Sequence, residues 1–158
     1  MSRKSARTAA VQMVYEQMLG GQGGDETLVG LIGFVPEEGD RAYLDAILSG
    51  VTEQTEALEA LIERNLKGWT VSRLARVDRA ILLVAAYEMA FARETPEAVV
   101  INEAVSLAQR FDSPQAGKFV NGVLAGVLAE LQGQSTESSQ NESDLSEKEQ
   151  ETHDRAGD

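Results

Sequence analysis

The sequence contains no cysteine, which excludes disulfides, a thiol nucleophile and zinc–cysteine sites. Its one histidine, His153, lies in a polar stretch, so imidazole catalysis and histidine-bound metal have no residue to use in the apolar part of the chain. No apolar run approaches the roughly 18 residues that a transmembrane helix needs. The N-terminal SRKSARTAAVQMVYEQM has the outline of a signal peptide. Gln12, Glu16 and Gln17 interrupt its apolar part, however, and no small-residue cleavage site follows, which points to a soluble cytoplasmic protein. A phosphate-binding loop is missing as well. GGQGGDE (20–26) has the glycines but neither a following Gly-Lys-Ser/Thr nor a preceding strand, and reads as plain loop.

Positive charge is also scarce: 14 basic residues face 26 acidic ones, for a net charge of −12. Half of that deficit falls after Leu131, where eight acids meet only Lys148 and Arg155. The balance argues against a general nucleic-acid binder. Yet the first fifteen residues hold Arg3, Lys4 and Arg7 and no acid. Screening acts over about 8 Å at physiological salt, so a local cationic patch still attracts phosphates.

What is present is apolar helix. The hydrophobic fraction of 42% is ample for one domain, expected over 1–131. Residues 132–158 hold Ser, Gln, Glu and Asp with one leucine and no aromatic, and cannot offset the entropy of ordering; a disordered acidic tail is expected there. Ala80 to Ala86 form an unbroken apolar run, followed by Tyr87 and Met89. A helix apolar on all sides belongs at the centre of a domain, with Asp78 as its candidate N-cap.

About seven short helices are expected, and no alternating strand pattern is present. Val11, Val14, Tyr15, Met18 and Leu19 stripe a first helix over 2–19. A short helix over 28–34 follows, then one opening at Pro36 and running to about Val51, with Thr52 as candidate cap of the next, which Gly68 closes. Pro96 restarts the chain, and Ser113-Pro114 is the clearest cap, a hydroxyl acceptor before proline at the first helical position. Gly122 and Gly126 form a small-xxx-small pair suited to close helix packing.

Three features carry candidate chemistry. The basic N-terminal face suits either an ordinary solvated terminus or an arm gripping RNA phosphates. In KFVNGVL (118–124), Asn121 reads as a buried amide at a helix junction, while Lys118, with Arg110, extends the basic patch if the first and last helices are adjacent. Glu88 and Glu103 each interrupt an apolar helix. They suit ion pairs with Arg73, Arg76 or Arg79, or a partner interface where a fixed carboxylate gives specificity.

The segments ARTAAVQMVYE, AYLDAILSGV, LARVDRAILLVAAYEM, INEAVSLAQRF and KFVNGVL, in that order and spacing, resemble the NusB family of bacterial transcription antitermination factors. The resemblance runs from Arg3 to about Leu131. It implies an all-α fold of two packed helical subdomains, with no cofactor and no enzymatic activity. It also implies binding to the single-stranded boxA element of ribosomal RNA leader transcripts, together with the ribosomal protein NusE, in a complex that lets RNA polymerase read through terminators. By position, Arg3, Lys4 and Arg7 match the family's RNA-contacting segment, and Glu88 falls in the region facing the NusE-type partner. Ser5 and Thr8 dilute the basic segment, Leu83 stands where relatives often carry arginine, and Ala125 where some carry an acid. A protein-interaction module or homodimeric scaffold is the alternative. Ribosomal RNA cytosine methyltransferases carry a similar accessory domain, but the cysteine nucleophile and the glycine-rich cofactor loop are missing.

Overall fold

The computed structural model describes residues 3–20 and 38–133. Among them are six helices and no strand: α1 (Arg3–Met18), α2 (Glu38–Glu53), α3 (Thr55–Glu63), α4 (Arg76–Ala90), α5 (Glu97–Phe111) and α6 (114–133), with a 3₁₀ turn at Val71–Arg73. The short helix expected over 28–34, the Pro36 start and the acidic stretch from 134 onward lie outside the described residues. Residues 1–127 form one compact unit; of the second, Leu128–Asp158, residues 128–133 are described and helical.

Helix α4 is the centre of the first unit and packs against α1, α2, α3 and α5. Ala80 through Ala86 and Met89 are all buried, so this helix is covered on every side, as its composition requires. From α1, Ala6, Ala9 and Ala10 are fully buried; their short side chains bring the two backbones close. Leu44, Ile47, Leu58, Ile62, Val100 and Leu124 complete the core, each fully buried apolar side chain contributing about 1.5–3 kcal/mol. Gly50 of α2 faces Tyr87 of α4 so closely that a β-carbon there would run into the ring.

The helix ends show which local signals are used. The Ser113 Oγ accepts a hydrogen bond from the Ala116 amide at 3.1 Å, as its place before Pro114 predicts. Gly68 does not close α3, which ends at Glu63 with Arg64 as its C-cap; its φ of +80°, a left-handed conformation suited to glycine, instead turns the connection that follows. Asp78 does not cap α4. Ala75 is the N-cap, and Asp78 sits inside the first turn, buried, because the chain enters α4 three residues earlier than the carboxylate needs. Thr52 does not cap α3 either, since its hydroxyl donates back to the Leu48 carbonyl at 2.8 Å within α2. Asn121 is exposed rather than buried, because α6 turns Ala116, Val120, Val123, Leu124 and Val127 inward and leaves Lys118, Asn121, Gly122 and Ala125 outside. The glycine pair divides in the same way: Gly126 meets Asn65, while Gly122 has open space in front of it.

Candidate functional site

The N-terminal cations separate on folding. Arg3 and Lys4 are exposed, but Arg7, at the turn of α1 that meets α4, is only 3% exposed. Its guanidinium donates from Nε and Nη2 to the two carboxylate oxygens of Glu88 at 2.6 and 2.9 Å. Glu88 is 1% exposed and also accepts a 2.5 Å hydrogen bond from the Tyr43 hydroxyl of α2. One buried carboxylate therefore ties together α1, α2 and α4. Burial pulls the Arg7 pKa down, but the hydrogen bond and charge of Glu88, with smaller help from Tyr43 and Glu103, more than offset it and hold the guanidinium above its ordinary value. Burial, then the Glu88 hydrogen bond and charge, push the Tyr43 hydroxyl up, so it stays a donor. Arg3 lies 4.0 Å over the Tyr43 ring, a cation–π contact that orients this exposed charge.

This arrangement corrects two sequence readings. Arg7 does not present its charge to a ligand in this structure, and the partner of Glu88 is Arg7, not Arg73, Arg76 or Arg79. The ion pair of Arg79 is with Glu59 of α3. Glu103 is half-buried on α5.

Of the cations expected to extend the patch, Arg110 is exposed at the end of α5, 5.3 Å from the Phe111 ring. Lys118 is exposed at the start of α6 and lines a pocket of about 340 Å³ with Lys67, Trp69, Phe119 and Gly122. This is a different pocket from the one that Arg3 lines with Tyr43 and Glu94. A third concavity, about 460 Å³, is mostly apolar: Val11, Tyr15 and Leu19 of the first segment face Val77 and Phe111 across it, with Gln12 and Glu16 also in its lining. Asp78 adjoins Val77, and Asp112 adjoins Phe111. Burial first, then hydrogen bonding with Asp112 and the Asp112 charge, push Asp78 up to about 7. The Asp78 Oδ1 atom is buried with no hydrogen-bond partner among the described residues.

The model of the NusB family matches residues 4–129, which is most of the chain. The chain belongs to the NusB family. It is 41% identical over 133 residues to the transcription antitermination protein NusB of Geobacillus kaustophilus (strain HTA426), covering 84% of this chain and 99% of that one. It is 36% identical over 132 residues to the same protein of Bacillus subtilis (strain 168), covering 84% and 98%. Among solved structures, NusB of T. maritima superposes with a TM-score of 0.73 at 28% identity, covering 82% of this chain and 92% of the other. A crystal structure of antitermination factors NusB and NusE in complex with double-stranded RNA gives a TM-score of 0.71 at 25% identity, covering 81% and 96%. These likenesses bear out the all-helical NusB-type fold expected from the sequence.

In this NusB-family chain, the sequence pattern alone assigned no site role to Tyr43 or Trp69. The signal for Trp69 was present: a lone tryptophan in a short polar segment, two residues after a lysine and directly after a glycine. Tyr43 offered no such signal, since the partners that give it a role come from α1 and α4.

Proposed function

We propose that this chain is a non-catalytic, cytoplasmic transcription antitermination factor. It binds an unpaired boxA-type RNA together with a NusE-type ribosomal protein and supports read-through by RNA polymerase. The observation that carries this reading is the 41% identity to a transcription antitermination protein across 99% of that protein's length. The geometry supports a division of labour. Arg3, Lys4, Arg110 and Lys118 are exposed cations available to phosphates. The apolar groove of Tyr15, Leu19, Val77 and Phe111 has the character of a protein-docking surface, and it receives the NusE-type partner. Glu88 serves that surface indirectly, since it holds α1 against α4 by its bond to Arg7 and thereby sets the groove, and Glu103 adds its charge to the hold on Arg7.

Titrating a labelled boxA RNA with the protein, with and without its NusE-type partner, tests this reading. Three to five cationic contacts to a single strand predict a log–log salt dependence with a slope of about −2 to −3.5. The paired substitution Arg3→Ala with Lys4→Ala is expected to weaken binding and flatten that slope without changing the thermal midpoint. A duplex of the same sequence is expected to bind less tightly than the unpaired form. Unaltered affinity of the double variant at low salt would defeat the proposal.

A further inference from the structure

The pocket between α6 and the segment before the 3₁₀ turn has a composition that neither the core nor the apolar groove shares. Trp69 is 53% exposed, although tryptophan is the largest apolar side chain in the molecule. It does not hang on a loose loop. Leu66 and Val71 are buried on either side of it, and the left-handed turn at Gly68 aims the chain outward between those two anchors. Lys67 and Lys118, both exposed, line the same pocket, and no acidic residue among the described residues does. Phe119 adds a second aromatic side chain.

Gly122 supplies an independent observation. Glycine inside a helix is disfavoured relative to alanine. Gly50 and Gly126 have internal reasons for it, since a β-carbon would meet Tyr87 or Asn65. At Gly122 a β-carbon would meet nothing within 4 Å, so packing within the described residues does not explain the bare backbone. That backbone lines the pocket that Trp69 occupies. Glycine at such a position suits the close approach of something from outside.

We propose that Trp69 is a stacking platform for one unpaired RNA base, with the flanking phosphates on Lys67 and Lys118 and the bare helix at Gly122 giving the strand room. An exposed indole between two cations matches a ligand with a flat π-face and negative charge on either side, which is a nucleotide within a single strand. A duplex keeps its base faces stacked and offers none to the indole. This inference rests on the RNA-binding reading and assigns to it a base-holding site that the N-terminal cations do not provide.

Trp69 is the only tryptophan, so its emission reports on this pocket alone. The full-length protein is titrated with a labelled unpaired boxA RNA, following RNA anisotropy and tryptophan emission together. Emission is expected to be quenched along the same curve as the anisotropy rise, and less so with an RNA carrying abasic sites. Trp69→Ala is expected to lower affinity roughly 5- to 150-fold, with Trp69→Phe recovering part of it. Gly122→Glu, which leaves the indole untouched, is expected to weaken binding while the helical circular dichroism and melting temperature stay close to the parent's. Anisotropy that rises with silent tryptophan emission, or unchanged affinity in both Trp69→Ala and Gly122→Glu, overturns the platform and leaves the RNA-binding reading standing. Equal quenching by an acidic peptide overturns it too, by showing that the pocket reads charge and not a base. Absence of RNA binding with and without the NusE-type partner overturns both.

Discussion

At residue scale, Arg7 shows how a charge is assigned its work. Its two hydrogen bonds to Glu88 are charge-assisted and shielded from water, and Tyr43 occupies a further acceptor position of the carboxylate. Arg7→Ala leaves Glu88 buried without its cation, and is expected to cost about 3–5 kcal/mol in urea unfolding. Loss of under about 1 kcal/mol would show that the pair behaves as a surface one. Lys4→Ala, by contrast, is expected to leave stability unchanged. Asp78 gives the molecule a pH dependence of definite sign. Its folded value of about 7 lies above the ordinary 3.8, because burial and the neighbouring Asp112 favour the protonated form. Its contribution to stability is therefore complete below pH about 4 and is lost as pH rises through about 7. Asp78→Asn cannot ionise, and is expected to melt higher than the parent at about pH 8, the difference shrinking towards about pH 5. Melting curves that stay parallel across that range would refute the assignment.

At the scale of elements, the helices follow from local pattern and the faces they bury do not. The run from Ala80 to Ala86 is legible as a central helix because no side of it tolerates water. Ser113 is legible as a cap because its bond closes within three residues. Asn121 was misread because the inward face of α6 is set by the helices it meets, and the phase that buries Val120, Val123 and Leu124 turns the amide outward. Gly50 depends likewise on a distant element, the Tyr87 ring of α4. Gly50→Ala is expected to destabilise by about 1–3 kcal/mol through overpacking, although alanine is the better helix former. A thermal midpoint at or above the parent's would mean that α2 shifts freely on α4.

At the scale of the whole molecule, the proposed RNA binding by a protein of net charge −12 has to run through local cations. Removing residues 134–158 deletes eight acids and two bases, and so halves that net charge. The shortened protein is expected to associate with RNA faster at low salt, with the difference vanishing as the Debye length contracts. Equal association rates in stopped-flow mixing at low salt would argue that distant charge has no influence on the encounter.

The amino-acid sequence by itself determined the helical class, the Ser113 cap, the apolar centre and the family, because each depends on residues a few positions apart or on blocks in a fixed order. Only the tertiary structure decided which charges remain outside. Arg7 and Glu88 are separated by 81 positions, and nothing local distinguishes Arg7 from Arg3 or Lys4. Desolvation made the difference: the cation that α1 carries against α4 had to find a carboxylate, and the ones a turn earlier stayed in water.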